Sequence, residues 1–534
     1  MASIYDSVLT APWISTPSDG VPTSDTLRLQ HQAEQSISHL LTDHLAASAT
    51  VPPALHRDSH ARYLTKLLTQ PLPRHFTGLD ASRPWLLYWS IHSLALLDGE
   101  LDPDAQRRVV DTLRQCQNDD GGFGGGPGQL SHLAPSYAAV CALAYTGAVG
   151  WNSIDRQGMY RFLLSLKQPD GSFIMHDGGE VDVRGCYCAL TISTLLNLLT
   201  PDLARHTPQF IAACQTYEGG LASSAHPFAG PRDGDEDAHA APLGEAHGGY
   251  AFCAAASWAM LRAFSDPSSP AFLAPSSSSS SPSPSSLSAP SPSPARPRPP
   301  QELDVRALLR WSASLQAMPI EGGGFRGRTN KLVDGCYSWW GGGLVPVVES
   351  LLCEGEEGDG EEEEEAREHE LYDRTALQQY IVLVAQAPSG GLRDKPGKPA
   401  DAYHTCYNLS GAASAQHAPR VVARRARREL REGWVSPFGL RAALVEVEVG
   451  GEGQGHGQEG KGEVVRGEGE GNEAAEGRMR EVWSRALAWE LSPSNKVVYG
   501  DPANELVPAH PVFNLTFPHV RGIMAHFYRQ PPLV

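Results

Sequence analysis

The sequence predicts an all-α protein, an α/α toroid in which inner helices line a central cavity and outer helices cover them. Three observations lead there. A Gly-rich motif recurs at intervals close to 50 residues, the stretches between its copies are apolar on more than one face, and two irregular intervals contain low-complexity inserts.

The motif is Gly-Gly followed by Phe or Leu, usually after Gln and an acidic residue. Its copies are QNDDGGF (117–123), KQPDGSF (167–173), QTYEGGL (215–221), EGGGF (321–325) and SGGL (389–392). The closing Phe or Leu falls at 123, 173, 221, 325 and 392, so the first two intervals are 50 and 48 residues. The last, 67, becomes 50 once the 17 acidic-run residues 354–370 are removed. The 104-residue interval contains a Ser/Pro tract (265–301) and leaves room for a degenerate copy. Segments such as SYAAVCALAYTGAV, CYCALTISTLLNLL and YAFCAAASWAML suit helices packed on both sides. Gly sits where a helix stops and the chain reverses. A closed ring is the expected arrangement; an open helical solenoid would share the period.

The 534 residues are 41% hydrophobic, enough for a large core, yet Gly (53) and Pro (42) are both high. Three inserts account for this: 265–301, 354–370 and about 418–480, the last opening with PRVVARRARRELRE and continuing as Gly/Glu repeats. None has the composition to fold alone, and all three are expected to be disordered. The Arg cluster reads as a solvated helix face. Residues 1–70 are expected to be an N-terminal helical segment and 71–534 the toroid. The net charge of −18 is uneven, because 354–370 alone contributes −10. That gives no support for nucleic-acid binding. No secretory leader is read at MASIYDSVLTAPW, and apolar stretches such as Tyr250 to Leu261 are too short for a membrane span. Nine Cys without a CxxC pair argue for reduced thiols and a cytoplasmic protein.

The densest chemical signal is GGGFRGRTNKLVDGCYSWW (322–340), with Asp334 and Cys336 two apart. A second segment, LRDKPGKPADAYHTCYNLSG (392–411), has His404 near its centre. Asp, Cys and His make a three-ligand set of the kind catalytic zinc uses, with a position left for substrate. Arg328, Lys331 and His247 offer donors to a phosphorylated ligand, and Tyr337 adds a hydroxyl. Trp85, Trp89, Trp339, Trp340, Tyr403 and Tyr407 cluster by motif with these polar groups, as a deep apolar pocket requires.

RPWLLYW, KQPDGSF…GGEVDVRGCYC, EAHGGYAFC, GGFRGRTNKLVDGCYSWW, DKPGKPADAYHTCYNLSG and HPVFNLTF resemble, in order, blocks of the protein prenyltransferase beta subunits. The resemblance is greatest to protein farnesyltransferase and spans roughly residues 75 to 530. It departs from the family in the three inserts and in the Trp at 339. The resemblance implies that Asp334, Cys336 and His404 ligate Zn2+, one ion per chain. His247, Arg328, Lys331 and Tyr337 resemble diphosphate-binding residues. Trp85, Trp89, Tyr250, Trp340 and Tyr403 resemble walls of the isoprenoid and peptide pockets, with Arg184 and Tyr187 as further pocket residues. Asp394 resembles the carboxylate that helps hold Mg2+. Trp85 and Tyr407 resemble the pair that limits pocket depth to fifteen carbons. The implied reaction transfers farnesyl from farnesyl diphosphate to the Cys of a C-terminal CaaX motif, in a heterodimer with an alpha subunit. A geranylgeranyltransferase type I beta subunit is the nearest alternative. A terpene cyclase is less well matched, since DGDED (233–237) is not a DxDD motif. A thioester-bearing complement domain would need a GCGEQ-like segment, which is absent.

Overall fold

A computed structural model describes residues 24–47, 51–226, 241–265, 302–353, 370–422, 424–433, 472–491 and 493–531. The expectation of disorder in the Ser/Pro tract, the acidic run and the middle of the third insert falls almost wholly outside these residues. The N-terminal segment carries α1 (Asp25–Ala47) and α2 (Arg57–Thr69). Outer and inner helices then alternate: α3 (Arg83–Leu96), α4 (Pro103–Arg114), α5 (Leu133–Leu143), α6 (Arg156–Leu166), α7 (Val183–Leu195), α8 (Thr207–Ala213), α9 (Gly248–Ser265) and α10 (Val305–Ala313). A π-wound turn, Ser338–Gly342, leads into α11 (Leu344–Cys353). Next, α12 (Arg374–Gln379) runs into the π-wound Tyr380–Ala385, and α13 (Ala402–His417) follows.

Burial separates the two layers. In α4 only Ala105, Val109, Val110 and Leu113 are buried, one stripe of an amphipathic outer helix. In α5 all but Ala134 are buried, as expected of a helix covered all round. The helical run Leu133–Trp151 is, by length and composition, apolar enough to cross a membrane, but 78% of its apolar window is buried inside the protein, as in the core helix of a folded domain.

The inner elements touch in order: α3 on α5, α5 on α7, α7 on α9, α9 on the Ser338–Gly342 turn and α11, and that turn on α13. Then α13 packs back on α3, so the array is a closed ring and not an open solenoid. The 104-residue interval holds one inner helix, α9, and one outer helix, α10, with no further Gly-rich turn among the described residues.

Each Gly-rich turn is a clasp to the next repeat. Its first and last residues form the same antiparallel bridge: Gln117–Phe123, Lys167–Phe173, Gln215–Leu221, Gln316–Phe325 and Gln386–Leu392. The leading side chain then crosses to the start of the following outer helix. Gln215 donates from Nε2 to the carbonyls of Gly219 and Asp304 (both 2.9 Å) and accepts at Oε1 from the Asp304 amide at 2.8 Å. Gln316 does the same with Gly323 and Asp373, and Gln117 binds Gly121 and Asp155. Asp155, Asp304 and Asp373 each N-cap the helix they precede. Lys167 substitutes by donating to the Gly171 carbonyl and the Thr207 hydroxyl. The fifth clasp closes the circle: Gln386 accepts from the His56 amide at 2.7 Å and donates to the Ala54 carbonyl at 3.1 Å, just before α2. At Gly390 φ is +94°, and a Cβ would lie 2.3 Å from the Ser59 carbonyl oxygen, so backbone meets backbone there.

Because a tight turn always joins an outer helix to the next inner one, the inner helices run parallel and their N-termini gather at one end. Near the opposite end the C-terminal segment lies against three of them. The hydroxyls of Tyr88, Tyr137 and Tyr187 donate to the carbonyls of Asn514, Phe513 and Val512, at 2.8, 3.5 and 2.9 Å.

The ends of the third insert are folded, which corrects the sequence expectation. Here α14 (Arg424–Glu432) packs on α15 (Asn472–Leu487), and Arg420–Val421 pairs with Trp489–Glu490. Ala475, Met479 and Val482 of α15 are buried, and Glu481, also buried, accepts from Arg485 at 2.6 Å and Arg431 at 3.4 Å. Part of the Arg-rich face therefore meets this helix and not solvent. The final helix, α16, is Phe517–Phe527.

Replacing Gln386 by Ala removes the bonds to His56 and Ala54 and strands the buried His60 Nε2, which meets Gln386 Oε1 at 2.8 Å. We expect a loss of about 1–3 kcal/mol, read as a lower urea midpoint with unchanged slope. A midpoint equal to wild type would show that the ring closes without this clasp.

Candidate metal centre and aromatic belt

The metal candidates meet at the N-terminal end of the inner helices. Asp334 follows the fourth clasp, and its amide is held by the Phe325 carbonyl at 3.0 Å. Its Oδ1 accepts from the Cys336 amide at 2.9 Å, which turns the Asp-Gly-Cys segment back on itself. His404 comes from the first turn of α13. Asp401 N-caps that helix, accepting from the His404 amide at 2.7 Å, and its other oxygen accepts from His404 Nδ1 at 2.7 Å. This leaves Nε2 directed at Asp334 Oδ1, 3.4 Å away. The ligating atoms of Asp334, Cys336 and His404 all lie within 4.8 Å of one another.

Electrostatics favour a cation here. Burial opposes charge on His404, but hydrogen bonds and charge from Asp334 and Asp401 outweigh it and push the imidazole up to about 9. Burial also works against the Asp334 carboxylate, and His404 and the Cys336 amide pull it below its ordinary value. Burial, then Asp334, holds the Cys336 thiol well above the normal thiol range. A buried carboxylate, a thiol and an imidazole backed by a second carboxylate fit a zinc ion, which takes S, N and O donors, three from the protein in a catalytic site, and is commonly held by a His oriented in this way.

The cationic group lies alongside. His247 precedes α9, and its Nδ1 accepts from the Gly249 amide at 3.1 Å. The proton therefore sits on Nε2, which faces the Tyr337 hydroxyl at 3.0 Å. Burial, then the Arg328 charge, lowers His247 to about 4, so it is a neutral donor. Arg328 pairs with Glu245. Lys331 is exposed, following Asn330 at φ +58°, and makes no side-chain bond among the described residues. Arg184 grips Asp182, the N-cap of α7, at 2.7 Å, and its guanidinium lies 5.5 Å from the Tyr250 ring centre. Tyr250 in turn touches His247. The Asp394 carboxylate is paired with Lys395 and raised by burial, then by Asp334. Its backbone carbonyl accepts from the Gly335 amide and the Tyr380 hydroxyl.

Eight aromatic side chains form a closed belt inside the ring. Trp85 stacks on Trp89, Trp89 meets Tyr403, Tyr403 meets Tyr407, and Tyr407 meets Trp340, with centroids 4.5–5.4 Å apart. Trp340 touches Phe252, Phe252 Tyr187, Tyr187 Tyr137, and Tyr137 returns to Trp85, at 5.3–5.7 Å. Every inner element contributes, and such edge and offset contacts are the favoured aromatic geometries. Trp85 and Tyr407 are thus joined through Trp89 and Tyr403. Trp339, one position before Trp340, is fully buried and touches Phe252 from its other side.

Asp401, Glu245, Tyr137 and Phe252 were not singled out from the sequence. Asp401 had a signal, an Asp three residues before a candidate His ligand at a helix start. Tyr137 had one also, since it follows Phe123 by the fourteen residues that separate Tyr187 from Phe173. Phe252 and Glu245 had none.

A family profile described as "Prenyltransferase alpha-alpha toroid domain" matches residues 55–515. The chain is 39% identical to the protein farnesyltransferase subunit beta of Pyricularia oryzae over 69% of this chain and 65% of that one, slightly under two thirds of its length. It is 34% identical to the same subunit of Arabidopsis thaliana, covering 68% and 74% respectively. Identity falls to 28% with the Arabidopsis thaliana geranylgeranyl transferase type-1 subunit beta. Together, these likenesses and the Asp–Cys–His centre show that the chain belongs to the protein farnesyltransferase beta-subunit family of prenyltransferase enzymes.

Proposed function

We propose that this chain is a zinc-dependent catalytic subunit that moves a farnesyl group from farnesyl diphosphate to the Cys thiol of C-terminal CaaX motifs, paired with a prenyltransferase alpha subunit. The supporting observation is that a zinc-type donor set and a cationic group lie side by side at one end of a closed ring, next to a belt of aromatic side chains inside it. Asp334, Cys336 and His404 would hold one zinc ion, with Asp401 fixing the His404 ring. Zinc bound there lowers the pKa of a coordinated substrate thiol and so supplies a thiolate at neutral pH. The C–S bond forms as the C1–O bond breaks, and pyrophosphate leaves with the electron pair. Charge on that leaving group is met by Arg328 and Lys331 and by the neutral donors His247 and Tyr337.

The aromatic belt buries the isoprenoid chain, at roughly 25 cal/mol per Å² of apolar surface removed from water. Tyr187 belongs to the belt, and Arg184 stands beside Tyr250, next to the cationic group. We assign Asp394 to a Mg2+ ion at the diphosphate, a role that requires its carboxylate to leave Lys395. The eight described cysteines are all free and buried, in keeping with a reducing, cytoplasmic setting.

Two tests follow. Asp401→Asn should weaken zinc binding about 10- to 100-fold in a chelator competition, since the ligand His loses its orienting carboxylate; unchanged affinity would remove Asp401 from the centre. The wild type, co-expressed with an alpha subunit, should prefer farnesyl over geranylgeranyl diphosphate on a CaaX peptide. Trp85→Thr should move that preference toward the longer lipid, because a bulky wall becomes a small one. Wild-type preference for the twenty-carbon donor, or an unmoved Trp85→Thr ratio, would contradict the reading.

A further inference from the structure

Arg328 already has an anionic partner inside the proposed leaving-group site. The carboxylate is Glu245, and its placement is built and not incidental. On one side of it Pro242–Leu243 pairs antiparallel with Ser224–Ala225. On the other, the His247 amide donates to the Leu221 carbonyl at 3.0 Å and the Gly248 amide to the Gly327 carbonyl at 2.8 Å. Glu245 is therefore pinned between fixed points of the third clasp and the loop that carries Arg328.

That loop is equally constrained. A Cβ on Gly327 would sit 2.0 Å from the Tyr337 ring, so only glycine lets the loop press on the tyrosine whose hydroxyl meets His247. Arg328, His247, Tyr337 and Glu245 thus form one constellation. A second acid, Glu218, accepts from the neighbouring Thr329 hydroxyl at 3.3 Å, a bond that leaves Arg328 untouched. The Arg328 and Glu245 side chains are 37% and 57% exposed, so the pair exchanges easily with an incoming anion.

We propose that Glu245 is a positioning residue that competes with the diphosphate for Arg328 and so promotes release of inorganic pyrophosphate after transfer. The idea rests on the diphosphate reading above. In the free site the carboxylate holds the guanidinium over the mouth. A lipid diphosphate carries the binding energy of its buried chain as well as its charge, so it displaces Glu245. Pyrophosphate has only its charge, so the returning carboxylate favours its departure. The cost of displacing Glu245 is the same for both ligands, but only the lipid has a buried chain to offset it, so the product is the one released.

The test is pyrophosphate inhibition of the full chain co-purified with an alpha subunit, at low salt. Glu245→Gln should bind pyrophosphate about two- to fivefold more tightly, the range expected of an exposed ion pair, and the gain should fade as salt rises. KM for the lipid diphosphate should fall by no more than the same factor. In an Arg328→Ala background the same change should have no effect, a result that a merely structural Glu245 would not produce. Glu218→Gln should leave pyrophosphate binding as in wild type. Unchanged or weaker pyrophosphate binding in Glu245→Gln, or an equal gain without Arg328, overturns the proposal. A wild type that binds neither pyrophosphate nor farnesyl diphosphate overturns the diphosphate reading itself, and this inference with it.

Discussion

The side chain that opens each Gly-rich turn reaches the start of the next outer helix, and everything else in the ring depends on that reach. A helix start leaves amides without partners, and here one Gln serves the turn behind it and the helix ahead of it together. The residue it addresses is each time at a helix boundary, most often an Asp that caps the same helix with its own carboxylate. Repeat joins repeat at a fixed angle as a result, and five such joints bring Gln386 back to the backbone before α2. Closure is then a consequence of local chemistry repeated, more than of any single long-range contact.

Parallel inner helices follow from this arrangement, and with them the division of the ring into two unlike ends. The N-terminal end gathers helix starts, whose partial positive charge and capping carboxylates suit ions and anions. Asp182, His247 and Asp401 all sit at such starts, and two of the three zinc candidates hang from one clasp. The other end meets the C-terminal segment, held by Tyr137 and Tyr187 of the aromatic belt and by Tyr88 beside it. A charged mouth over an apolar interior is what a substrate with a diphosphate head and a hydrocarbon tail requires.

Much of this was legible in the sequence because the signals were local. The Gly-Gly-Phe period gave the repeats, and Asp334, Cys336 and His404 stood in two dense segments beside the candidate cations. What was not legible was averaged out or non-local. The buried stripe of α15 follows a long Gly/Glu run, so composition hid it. The bond between Gln386 and the backbone at Ala54 joins residues more than three hundred positions apart. Phe252 completes the belt only because α9 turns it toward Tyr187 and Trp340. Glu245 reads as one acid among several in a polar loop until the chain lays it on Arg328.

The central claim is that the ring's clasps assemble a zinc site from one oxygen, one sulfur and one nitrogen donor. Zinc-edge X-ray absorption on the full chain co-purified with a prenyltransferase alpha subunit tests it most directly. The account predicts one zinc with a single sulfur neighbour at about 2.3 Å and nitrogen or oxygen neighbours at about 2.0–2.2 Å. The sulfur shell should vanish in Cys336→Ala. A site with two or more sulfurs, or a sulfur shell that survives that substitution, would contradict it.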